Sequence, residues 1–130
     1  MGESSVLREN LFKGTAVLVV GGTGGIGGAA ATLFGRLGAD VTVAGLPGPA
    51  PAGAARVVHV DIARDGELEA AIGSLPRLDV LVNCAGIIRR REEYRPEVFA
   101  DVVEVNLTGT MRACVAARPQ LAAARGCIAA

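Results

Sequence analysis

The chain has 130 residues, a formal net charge of zero, and a composition that is 51% hydrophobic but only 3% aromatic. That length suits one domain, whose core has to come from Val, Leu, Ile and Ala, as in a sheet covered by helices. The charge balance excludes nucleic acid as an obvious partner, and no apolar stretch approaches the ~20 residues of a membrane span.

Residues 1–13 are polar and read as a loose lead-in, with no apolar segment of the signal-peptide kind. Residues 14–130 read as the domain. AVLVV (16–20) is a short apolar run that ends in glycine, a buried strand. Ile26, Ala29, Ala30, Leu33 and Leu37 then recur at helical spacing over residues 25–37, and Gly38 is a stop signal. VTVAG (41–45) is a second strand. Prolines and glycines bar any regular element from LPGPAPAGA (46–54), so a loop stands there in place of a helix.

VVHV (57–60) is a third strand, and DGELEAAIGS (65–74) a short helix with Asp65 as N-cap. DVLVN (79–83) is a fourth strand. The charged loop RRREEYRP leads to a long helix from about Glu97 to Ala124, bent or restarted at Pro119, and GCIAA (126–130) opens a fifth strand. Strands joined by crossovers make a parallel α/β sheet, doubly wound, with helices on both faces. Right-handed crossovers give the strand order 3-2-1-4, plus the start of strand five.

VVGGTGGIGG (19–28) contains six glycines. Each costs about 0.5–1 kcal/mol of extra backbone entropy relative to alanine in ordered structure. In a parallel sheet, ligands bind outside the strand carboxyl ends where the strand order reverses, here between strands one and four. The glycine run sits there and opens a helix, whose N-terminus offers unpaired N–H groups and partial positive charge. Bare glycines bring those amides against a diphosphate. The run fits two registers: Gly22, Gly24 and Gly27 as G-x-G-x-x-G, or Gly21, Gly25 and Gly27 as G-x-x-x-G-x-G. The alternative is a tight turn with no ligand. Asp61, Ile62 and the Asn83-Cys84-Ala85-Gly86 turn reach the same crevice from strands three and four.

Together these residues resemble the short-chain dehydrogenase/reductase family over residues 11–130. VVGGTGGIG (19–27) is similar to its T-G-x-x-x-G-x-G loop, NCAG (83–86) to its N-N-A-G turn, and VEVNLTG (103–109) to the helix segment carrying its active-site asparagine. The resemblance implies a Rossmann-like fold and an NAD or NADP cofactor. Gly21, Thr23, Gly24, Gly25, Ile26 and Gly27 would lie along its diphosphate, Asp61 and Ile62 at its adenine, and Asn83, Ala85 and Gly86 along the adenosine side. It also implies a catalytic role for Asn106, holding a water in a proton relay. From the residues alone, Asp61 has the alternative of capping the next turn, and Asn106 that of bonding nearby backbone. Phe99, Val103, Asn106, Thr110, Ala113 and Ala117 share one helical face by their spacing.

Val20 and Cys84 depart from the motif residues. Gly45 and Leu46 carry neither the acidic signature of NAD nor the basic signature of NADP; with no countercharge for a 2′-phosphate, the reading leans to NAD. The implied activity is hydride transfer between a nicotinamide and a small alcohol or ketone, of sugar-acid or oxoacyl type. The alternative is a non-catalytic NAD(P)-binding module or an inactive fragment. The family's serine after strand five and its Y-x-x-x-K pair fall outside these 130 residues, so the expectation is part of a longer, homo-oligomeric enzyme, with an open sheet edge that promotes association. Tyr94 and the arginines at 89–91 read as surface residues. The three cysteines match no zinc spacing and make a poor disulfide framework. Buried thiols, no metal and a cytoplasmic protein follow.

Overall fold

A computed structural model describes residues 6–130; the first part of the lead-in, residues 1–5, lies outside the described residues. Five parallel strands form one sheet in the order β3-β2-β1-β4-β5. They are β1 (Ala16–Val20), β2 (Asp40–Gly45), β3 (Arg56–His59), β4 (Val80–Asn83) and β5 (Cys127–Ala129). The helices are α1 (Gly25–Arg36), α2 (Glu67–Gly73), α3 (Pro96–Val103) and α4 (Gly109–Ala124). The expected doubly wound, Rossmann-like arrangement is the one observed, with the loop of residues 46–55 in place of a helix between β2 and β3.

Alternation along β1 divides the core into two layers. Leu18 and Val20 face a cluster with Leu68, Ile72, Ala113 and Ala117 from α2 and α4. Val17 and Val19 face the α1 side with Ala31, Val41 and Val43. A sheet buried on both faces needs apolar residues at successive positions, which is why AVLVV runs without a polar break. Asp79 fixes the start of the sheet. Its carboxylate accepts from the Ala16 amide at 2.8 Å and from Arg77 at 2.7 and 3.2 Å. Burial pushes the Asp79 carboxyl up, but the bonds from Arg77 and Ala16 and the Arg77 charge outweigh it, so its pKa lies below the ordinary 3.8.

Several local expectations are corrected. In α1 the inward residues are Gly27 and Ala31, with Phe34 packed alongside, while Ile26 and Leu33 are exposed. Small side chains let this helix lie close on the sheet, so size outranks hydrophobicity in choosing the face. The N-cap of α2 is Gly66, at φ 84°, and not Asp65; the Glu69 carboxylate accepts from the Gly66 amide at 3.1 Å. Strand β3 begins and ends one residue earlier than expected, although Val60 N–H still bonds the Gly45 carbonyl at 2.9 Å.

The long helix is not restarted at Pro119, which lies inside α4. Its irregularity comes earlier, as one wide π-turn at Glu104–Thr108. That turn adds a residue and shifts the helical phase. Ala113 and Ala117 are therefore buried while Phe99 and Asn106 are exposed, so the expected common face is divided. No cysteine is fully buried: Cys84 and Cys114 are half-buried and Cys127 is exposed. The end of the lead-in is held down. Phe12 packs against Phe34 with the rings tilted at 58° and their centroids 4.8 Å apart, and its N–H donates to Leu37 O at 2.9 Å. No helix among the described residues is long and apolar enough to cross a membrane.

Candidate functional site

The carboxyl ends of β1 to β4 open onto one cavity of about 480 Å³, within the usual size of a ligand pocket (about 300–1,000 Å³). Its floor is the glycine loop. Gly21 leaves β1 at φ 79°, and its N–H donates to Ala44 O at 2.7 Å. A β-carbon there would stand 2.5 Å from the Ala85 amide nitrogen, so only glycine lets the β1 and β4 exits touch. Gly24 and Gly25 face open space. Gly24 caps α1 without a side-chain bond, and the first intrahelical bond of the helix runs from Gly28 N–H to Gly24 O at 3.1 Å. The amides of Gly25, Ile26 and Gly27 thus lack an intrahelical acceptor at the positive end of a twelve-residue helix. No acidic residue stands in that first turn to compete for them.

Of the residues singled out in the sequence, Gly21, Thr23, Gly24, Gly25, Ile26, Gly27, Asp61, Ile62, Ala85 and Gly86 all line this cavity. Asp61 does two things there. It lines the wall, and its Oδ1 accepts from Ala63 N–H at 3.0 Å, closing the turn toward α2. Its own N–H donates to the Glu67 carboxylate at 2.8 Å. Asn83 and Asn106 are not in the lining. Asn83 is 8% exposed; its Nδ2 donates to Thr110 Oγ1 at 2.8 Å, while Oδ1 is buried without a partner. Asn106 sits behind the β4 exit. Its Oδ1 accepts from Ile87 N–H at 2.7 Å and its Nδ2 donates to Ile87 O at 2.9 Å, so both ends of the carboxamide hold one backbone position. An asparagine bonded to nearby backbone was one of its two readings, and that is the geometry present.

The sequence reading did not single out Val60, Ile87 and Val105 as cavity walls. Each neighbours a motif residue, and adjacency to a strand end was the only available signal. Gly45 also lines the cavity, and a β-carbon on it would meet Thr23 Oγ1 at 3.0 Å. The Thr23 side chain thereby occupies the space beside the end of β2. Tyr94 is 82% exposed, as a surface role requires. The walls are mainly apolar, the polar groups on the α1 side are backbone amides and the Thr23 hydroxyl, and Asp61 is the carboxylate in the lining. Such apolar walls and unpaired amides suit a partly apolar molecule with an anionic centre over the start of α1.

Residues 15–129 match the family described as short chain dehydrogenase. The 3-oxoacyl-[acyl-carrier-protein] reductase of Chlamydia trachomatis is 30% identical over 138 residues, which cover 92% of this chain and 56% of that protein. The peroxisomal hydratase-dehydrogenase-epimerase of Neurospora crassa is 35% identical over 119 residues, covering 83% of this chain and 13% of that larger protein. Among solved structures, one from Brucella melitensis described as ribose-5-phosphate isomerase superposes with a TM-score of 0.83 at 31% identity, over 93% of this chain and 52% of that one. The chain therefore spans little more than half of these proteins at most. With a glycine-loop cavity at the switch point of a 3-2-1-4-5 sheet and a family match over nearly its whole length, this chain belongs to the short chain dehydrogenase family.

Proposed function

We propose that the protein is the cofactor-binding part of an NAD(P)-dependent oxidoreductase that moves hydride between a nicotinamide and a small alcohol or ketone. The observation that carries this reading is the start of α1, which has no side-chain cap and whose first three residues, with amides lacking intrahelical partners, line the cavity. A diphosphate matches those donors in charge and reach. Asp61 and Ile62 would bound the adenine, and Ala85 and Gly86 would let the ligand lie close along the β4 exit. Asn106 would act as a positioning residue, holding the Ile87 backbone that continues the wall. The bound dinucleotide supplies the hydride acceptor or donor; the chain's own part is to bind it, orient it and keep water from its apolar flank. A non-catalytic module is the weaker reading, because the similar proteins are named as dehydrogenases and reductases.

The preference for NAD rests on the end of β2, where Gly45 and Leu46 offer no countercharge to a 2′-phosphate. An oxoacyl or sugar-acid substrate fits the names of some relatives, including the acyl-carrier-protein reductase. A cytoplasmic location is consistent with the three free thiols. Self-association is supported by Phe99, Leu107, Met111 and Val115, large apolar side chains 59–67% exposed along α3, the π-turn and α4. Calorimetric titration of the purified chain with NADH and NADPH tests the reading. Binding of NADH at least as tight as that of NADPH is expected. A folded chain that binds neither overturns it.

A further inference from the structure

The wall of the cavity formed by Asp61 and Ile62 belongs to no regular element, yet it is held from behind by α4. Arg112, whose side chain is 22% exposed, converges on three groups. Its guanidinium contacts the Asp65 carboxylate at 2.8 Å, the Glu104 carboxylate in the π-turn at 2.5 Å, and the Ile62 carbonyl at 3.5 Å. One turn earlier, Gly109 leaves room for the same wall: a β-carbon on it would fall 2.8 Å from Ile62 Cγ1 and 2.9 Å from Cδ1. Ile62 is 8% exposed as a result. Asp65, having no capping duty at α2, is free for Arg112.

The same stretch of helix also holds the opposite wall. Asn106 grips Ile87 at the β4 exit, and Thr110 accepts from Asn83 while donating to Asn106 O at 2.9 Å. The π-turn and the first turn of α4 are therefore a common mount for two walls of the cavity. The two attachments differ in kind, an arginine toward β3 and an asparagine toward β4, so they can be released separately.

We infer that Arg112 is a positioning residue for the adenine end of the proposed dinucleotide site: by joining Asp65 and Ile62 to Glu104, it sets the distance of the Asp61–Ile62 wall from the glycine loop. This rests on the proposed cofactor reading. It adds a residue that no glycine or strand-end motif contains. A planar guanidinium suits the task because it presents several donors in fixed directions to three acceptors on two segments.

The test compares Arg112→Met, which keeps the apolar stem, with Arg112→Lys and Asp65→Asn. Affinities for NADH, adenosine 5′-monophosphate and nicotinamide mononucleotide are measured by calorimetry, and amide hydrogen exchange is followed in the ligand-free chain. Arg112→Met should weaken NADH and adenosine monophosphate about tenfold and leave nicotinamide mononucleotide unchanged; Arg112→Lys should recover most of the loss. Asp65→Asn, the milder change, should show a smaller loss of the same pattern. Exchange at residues 61–65 should quicken in Arg112→Met while that at Ile87 stays as it was. Equal losses for both half-ligands, or no loss for adenosine monophosphate, overturn the inference. If the unaltered chain binds neither NADH nor adenosine monophosphate, the cofactor reading falls, and the exchange at residues 61–65 then decides the positioning role: unchanged protection overturns it as well.

Discussion

Gly27 lies against the carbonyl of Gly21 so closely that a β-carbon on it would overlap that oxygen. The first turn of α1 is thus seated directly on the exit of β1. Gly27→Ala should cost at least ~3 kcal/mol by overpacking against backbone that cannot yield, or roughly 10 °C in Tm for a chain of this size. Gly24→Ala is the contrasting change. Gly24 is extended at φ −172° and faces open space, so alanine fits there. Its melting temperature should stay within about 2 °C, while NADH binding weakens about tenfold as a methyl group enters the cavity floor. Equal melting temperatures for the two variants would contradict this division between packing glycine and ligand glycine.

Asn106 offers a second separation. Asn106→Asp keeps an acceptor for Ile87 N–H but turns a carboxylate oxygen toward Ile87 O. A stability loss of about 1–2 kcal/mol is expected, from one lost bond and one unsatisfied carbonyl. The loss should be localised: exchange at Ile87 and its neighbours accelerates, and the β1–β2 amides keep their protection. Uniform acceleration across the sheet would refute it.

The Asp79 carboxyl has a folded pKa below its ordinary 3.8. Its contribution to stability is therefore complete above about pH 4 and is lost as the pH falls through the folded value. Denaturation followed between pH 6 and pH 2 should show this decline. Asp79→Asn should flatten it and lower stability at pH 6 by about 1 kcal/mol. An identical acid profile in the variant would show that other carboxylates govern the decline.

The exposed row of Leu107 and Met111 predicts a concentration-dependent mass. Sedimentation at micromolar chain should show a dimer or larger species, and the double change Leu107→Glu with Met111→Glu should yield monomer with little change in Tm. A monomer in the unaltered chain would refute self-association through this face.

The sheet order and the glycine-loop cavity were legible because they depend on short-range signals: apolar runs of strand length, and glycines at a strand-to-helix junction. What the pattern misread were choices settled by packing. Leu33 satisfies helical periodicity as well as Ala31, yet the close seat of α1 on the sheet favours the smaller residue. The π-turn at 104–108 has no sequence mark, and Pro119 drew attention to the wrong place. Asp65 fits the N-cap pattern, but a glycine able to adopt positive φ took the position and released it to Arg112. Arg112 itself was invisible, since two of its three acceptors, Ile62 and Asp65, lie on a loop about fifty residues away in the chain.

The seat of Phe12 on Phe34 has a practical consequence. It fastens the neighbouring Lys13, exposed and the only lysine in the chain, beside the carboxyl end of α1. The cavity lies at the opposite end of that helix, about 18 Å away along twelve residues. Apart from the terminal amine, an amine-directed fluorophore has this single place to attach, at the end of α1 remote from the cleft. Ligand occupancy can then be read by energy transfer from a probe whose distance the helix itself sets.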